Sequence, residues 1–170
     1  PAIKSLYSAS NLVPFGVYDG LIEDVSTANR DREVGLIPYR RRERKTWIFF
    51  GVYSTDLIAG IAIADAGIVA NAFTYFYSFK DGTFVQDSAL VPFGFGSGFN
   101  PGLNSSWKLG KYSIETVGNE MHLNYNGKFK LTANARNTAA GASIVAPSNG
   151  DRPFNFTYKN TCLPTKISIS

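Results

Sequence analysis

Apolar residues in this chain come in short runs, and each run is bounded by glycine, proline, asparagine or aspartate. The run Thr46–Tyr53 (TWIFFGVY) is apolar at odd and even positions alike, which predicts a central strand covered on both faces. Residues 57–64 and 68–79 predict two more strands, broken at Asp65-Ala66-Gly67. Residues 1–40 show no sustained period; Pro14, Gly16, Gly20, Gly35 and Pro38 cut them into irregular pieces.

Turn signals set the pairing in the second half. A two-residue turn at Gly118-Asn119 pairs Thr116 with Met121, Ile114 with Leu123 and Tyr112 with Tyr125, so every apolar residue shares one face. The Asp81-Gly82 turn pairs Phe79 with Phe84 on the same logic. At Asn126-Gly127 a three-residue loop is preferred, because it pairs Leu123 with Phe129 and Met121 with Leu131. It also places Gly127 at the left-handed position of a bulge. Residues 107–135 then form a three-strand meander. Residues 136–153 are mostly loop with a short strand at 143–146, and residues 154–159 alternate as a last clear strand. The terminal TKISIS resembles the middle of a strand whose edge another chain or segment would cover.

No run carries helical periodicity over three turns. The fold class predicted is all-β, an antiparallel β-sandwich or lipocalin-like open barrel, in a single β domain over residues 1–170. Trp47, Phe49, Ile61, Ile63, Phe73, Tyr75, Ile114, Leu123, Phe129 and Leu131 are expected inside. His122, Glu115 and Lys130 are expected outside.

Composition adds to this picture. Aromatic residues make up 14% and charged residues only 18% of the chain, which favours sheets over helices. A net charge of +4 is too small to mark a nucleic-acid protein, so that partner class is disfavoured. The single cysteine, Cys162, excludes an intrachain disulfide and a multi-cysteine metal site, and it favours a reducing, cytoplasmic compartment. With one histidine and no metal motif, no metal and no cofactor is called for. Residues 57–79 hold Asp65, Asn71 and two glycines, and they fit two buried strands better than a membrane span.

Three segments carry a family resemblance. They are the basic residues before Trp47, Arg44 among them; residues 57–79 with Ala62 to Asp65 and Gly67; and the strand with Phe156, Thr157 and Lys159 that runs into Leu163-Pro164. In that order they resemble the N-terminal half of a bacterial family, domain of unknown function 2804. Ile68 departs from its pattern, which usually has an aromatic there. The family is distantly similar to carotenoid hydratases built from lipocalin-like β units. The resemblance implies an apolar cavity and a second β half beyond the Leu-Pro, and it transfers no catalytic residue.

Each candidate residue has a structural alternative. Asp65 follows an apolar strand, where a buried carboxylate could serve as general acid or base, or could cap its own turn by accepting N–H bonds from Gly67. His122 faces Glu115 and Lys130, either as an acid–base pair or as ordinary outer-face charges. Arg40, Arg41, Arg42 and Arg44 form a basic run that suits an anion, or a solvated turn. Phe93, Phe95 and Phe99 sit beside or among the glycines of residues 94–102, as a pocket mouth or a sheet-to-sheet connection. With Trp47 and Tyr75 they are the candidate ligand-binding set. There is no G-x-S-x-G and no imidazole near Cys162 in sequence, so catalysis is disfavoured. Three functions stay open: a binding module for an apolar small molecule; a structural or assembly protein pairing with a second β half or as a homo-oligomer; and a hydratase-like enzyme.

Overall fold

The computed structural model describes residues 3–8, 11–25, 45–94, 97–100, 102–137, 140–147, 156–161 and 166–169. Strands dominate them, and no helix occurs among them. Among the described residues all sheets are antiparallel and none closes into a barrel.

Two sheets make the sandwich. The four-stranded sheet runs in the order β4 (Thr46–Tyr53), β5 (Leu57–Asp65), β6 (Val69–Ser78), β7 (Phe84–Pro92). The six-stranded sheet has the order β15-β12-β11-β10-β9-β8. Its strands are β8 (Ser97–Asn100), β9 (Ser105–Leu109), β10 (Tyr112–Val117), β11 (Glu120–Asn126), β12 (Lys130–Arg136) and β15 (Lys166–Ile169). Their inner faces form one core. Phe50, Ile61, Ile63, Ala70 and Ala72 from the first pack with Trp107, Leu109, Tyr112, Ile114, Leu123, Tyr125 and Leu131 from the second. A smaller sheet, β14 (Phe156–Thr161), β13 (Ala142–Pro147) and β3 (Gly16–Asp19), and a two-stranded sheet of β1 (Tyr7–Ser8) and β2 (Asn11–Leu12) complete the list. Leu6, Val13, Ile22 and Val145 form a second core beside them.

The Gly118-Asn119 hairpin has the predicted register, Ile114 opposite Leu123, with Gly118 left-handed at φ 57°. Two other registers are shifted by an even number of residues, two at Asp81-Gly82 and four at Asn126-Gly127, which preserves the faces. Phe84 lies opposite Tyr77, not Phe79. The turn is wider than two residues because Gly82 N–H bonds Ser78 C=O at 3.0 Å and Phe79 N–H is drawn to Asp56 C=O at 2.9 Å. Leu123 lies opposite Ala133, and Tyr125 opposite Leu131. Gly127 is needed for a different reason than the one predicted: its φ is not positive, and any Cβ there would collide with the Tyr125 ring. That ring is pulled beneath the loop by its own hydroxyl bonds.

Residues 105–136 hold four strands, since Gly110-Lys111 makes a further turn between β9 and β10 with Leu109 opposite Tyr112. The glycine-rich segment also contains a strand, β8, with Phe99 opposite Trp107. The TKISIS segment pairs with β12 through β15, Ala135 opposite Ile167.

The larger correction concerns β4. It is an edge strand, not a central one. Trp47 is 55% exposed, Phe49 45% and Phe73 39%, while Ile61, Ile63, Ile114, Leu123 and Leu131 are buried. His122, Glu115 and Lys130 are exposed as expected.

Candidate aromatic binding face

Period two puts every second residue of a strand on each face. In the four-stranded sheet the inward phase is Ile48, Phe50 and Val52 on β4, paired with Ile63, Ile61 and Ala59 on β5. The outward phase is also largely apolar, with Asn71, Ser88 and Gln86 as its polar members. Across the sheet, Trp47 pairs with Ala64, Ala64 with Asn71, and Asn71 with Leu90. The next row is Phe49, Ala62, Phe73 and Ser88; then Gly51, Gly60, Tyr75 and Gln86; then Tyr53, Ile58, Tyr77 and Phe84. None of these residues is charged.

The rings lie down on the sheet. A Cβ on Gly60 would sit 2.6 Å from the Tyr75 ring of the neighbouring strand, and one on Gly51 2.9 Å from the Phe49 ring. Glycine at these two positions lets an aromatic ring cover bare backbone. Phe73 stacks beside Tyr75, with centroids 6.4 Å apart and planes 15° from parallel. At the far end Phe79 meets Tyr53 and Tyr77 edge to face, at 6.1 and 5.2 Å. The product is a level aromatic platform whose charges, Lys45, Asp56, Lys80 and Asp81, stand in the loops at its rim.

Of the candidate ligand residues, Trp47 and Tyr75 share this platform. Phe93 stands exposed just past β7, at φ 54°, where its N–H bonds Ile68 C=O at 2.9 Å. Phe99 is separate: it packs against Trp107 at 5.6 Å on the core side. Of the described phenylalanines here, Phe93 is exposed and Phe99 packs on the core side. Phe95 and the basic run Arg40, Arg41, Arg42 and Arg44 lie outside the described residues. So do Leu163 and Pro164.

Asp65 ends β5, and its Oδ1 accepts the Gly67 N–H at 2.8 Å, with Gly67 left-handed at φ 87°. This is the turn-capping role. His122 pairs with Glu115 across β10–β11, as predicted, but its other neighbour is Asn134, whose Oδ1 lies 2.6 Å from Nδ1. These residues line a shallow cleft of about 440 Å³ on the outside of the six-stranded sheet, with Ser113, Asn124, Lys130 and Thr132. Among the described residues no group of acidic, histidine or cysteine side chains could hold a metal ion. No helix among them is long and apolar enough to cross a membrane.

One cluster escaped the sequence. Asp87 on β7 points inward, opposite Thr74, and is buried. Its Oδ2 accepts hydrogen bonds from Lys111 Nζ and, at 2.5 Å, from the Tyr125 hydroxyl. Tyr125 Oη in turn accepts the Lys128 N–H at 2.8 Å. The Lys111 ammonium, and after it the Tyr125 hydroxyl, hold the Asp87 carboxyl well below the usual carboxylate range, and the same bond to Asp87 raises Lys111. This clasp ties the two sheets together at one end. Burial pushes the neighbouring Tyr112 hydroxyl well above the ordinary tyrosine value, and it has no hydrogen-bond partner among the described residues.

A family model described as a domain of unknown function (DUF2804) matches residues 5–170. No curated protein and no solved structure matches the chain.

Proposed function

The chain belongs to the family described as domain of unknown function 2804, and from that premise we propose a non-catalytic binding module that recognises an apolar partner through the outer face of β4–β7. The observation that carries the reading is the composition of that face: aromatic rings laid on glycine and alanine, without a charged side chain. Exposed apolar surface of this extent with a polar rim marks an interaction site.

The reading keeps the apolar specificity that a kinship with lipocalin-like carotenoid hydratases implies, but moves it from a lumen to a surface. The space between the sheets is filled by the side chains of the main core. A hydratase-like role has less support, because the Asp65 carboxylate is engaged with the N–H of its own turn. Trp47 and Tyr75 are the contact residues proposed at the centre of the face, with Phe93 at its margin. The basic run at Arg40, Arg41, Arg42 and Arg44 stays a proposal for an anion site.

Titration with a polyene fatty-acid probe tests the reading. Saturable fluorescence is expected, and Tyr75→Ser should abolish it while leaving the melting temperature nearly unchanged. A saturable signal that Tyr75→Ser and Phe73→Ser leave intact would place the apolar site elsewhere.

A further inference from the structure

We infer that the partner of this face is a second copy of the chain, the two β4–β7 sheets packing face to face about a two-fold axis. The inference rests on the reading above and names its occupant. Three observations lead to it.

The first is size. Strands about 4.8 Å apart, rising about 3.3 Å per residue over about nine residues, give a four-strand face roughly 19 by 30 Å. Its projection is on the order of 570 Å², and side-chain relief brings it close to the ~800 Å² that each partner contributes to a standard stable interface. A small apolar molecule would cover only part of it.

The second is charge. The chain carries a net +4, so two copies bring like net charge together. A two-fold axis sets one patch against its own copy. The β4–β7 face can be paired in this way without burying an ion or opposing like charges, because its outward positions are uncharged. The outer face of the six-stranded sheet cannot, since it carries Lys108, Glu115 and Lys130.

The third is shape. Phe49 folded over Gly51 and Tyr75 folded over Gly60 keep the centre of the face level. Level sheets pack face to face at about 10 Å, the geometry that already holds this sandwich together. Leu90, 69% exposed on the edge strand β7, would lie within the overlap.

Sedimentation equilibrium of the full chain across a concentration range tests the inference. The wild type is expected to be a dimer, with Phe73→Asp raising the dissociation constant about 100-fold or more, since it buries a carboxylate in each copy. Leu90→Lys, on an exposed edge position that the fold does not depend on, should do the same. Asn124→Asp, on the other sheet, should leave the dimer intact. A wild type that is monomeric at every concentration overturns the inference. So does a dimer that Phe73→Asp and Leu90→Lys leave unchanged, which would point to pairing through the edges β14 or β15. A monomer that still binds the polyene probe in a Tyr75-dependent way would overturn the dimer alone. A monomer without probe binding would remove the binding-face reading as well.

Discussion

Across the outside of the six-stranded sheet one row reads Ser106, Glu115, His122, Asn134. Across the outside of the four-stranded sheet a comparable row reads Phe49, Ala62, Phe73, Ser88. Both rows back onto the same core, and both face away from it. The first follows the usual rule for an antiparallel sheet with one wet side. The second breaks it along four neighbouring strands at once. A single exposed Leu or Phe is ordinary, but a contiguous face of them has a cost in water and needs a reason. The difference is the ground for proposing the outer face of β4–β7, and not that of the six-stranded sheet, as a contact surface.

The largest expected effect tests whether the two faces of β5–β7 are really unlike. Ile61→Ala removes a fully buried side chain from the inner face and should cost about 2–5 kcal/mol in chemical denaturation. Leu90→Ser on the outer face should cost the dilute chain less than about 1 kcal/mol. Equal losses would mean that the outer face is packed within one chain, and the comparison would collapse.

Next in size is the clasp between the sheets. Asp87 has a folded pKa below its unfolded one, so it contributes stability above the unfolded value, about 4, and that contribution is lost as pH falls through the folded value. Lys111 is raised, so its share is present below its unfolded value and lost as pH rises beyond about 10. Thermal melts from pH 2 to 7 should show the wild type losing stability below about pH 4. Asp87→Asn should melt lower at pH 7 and change less below pH 4. Parallel curves for the two proteins would show that the clasp contributes nothing.

Smaller effects sharpen the contrast on the outer faces. Gly60→Ala forces the Tyr75 ring off the sheet, a flexible group that can give way, so the melting temperature should move little while probe binding weakens severalfold. His122→Ala should change stability by no more than about 0.5 kcal/mol and leave probe binding alone. A loss of probe binding in His122→Ala would shift attention to the polar cleft.

What could be read from the sequence follows the same division. On β10 and β11 alternation is clean, so Ile114 and Leu123 inside with Glu115 and His122 outside could be placed without coordinates. On β4 the pattern TWIFFGVY predicts burial on both sides, with Trp47 and Phe49 in the core, whereas both are exposed. Hydrophobic periodicity records which faces avoid water, not which molecule covers them. An edge strand whose outer face meets a partner gives the same pattern as a central strand. The shifted hairpins have a related cause: a slip of any even number of residues leaves every face unchanged, so alternation cannot distinguish the registers. At Asn126-Gly127 the observed register goes with the Tyr125 hydroxyl's bonds to Asp87 and the Lys128 N–H, contacts that alternation does not record. Asp87 did leave a trace, as the lone carboxylate in the inward phase Val85, Asp87, Ala89, Val91.

The chain's two tryptophans divide along the same line, Trp47 on the outer face at 55% exposure and Trp107 in the core at 3%. The Trp107→Phe variant makes Trp47 the only indole. Its emission, followed with acrylamide quenching over rising protein concentration, reports directly on whether the β4–β7 face becomes covered. A red, quenchable signal is expected in dilute solution, shifting to the blue and losing quenching as copies associate, a change that Leu90→Lys abolishes. Emission that stays red and quenchable at every concentration would contradict it.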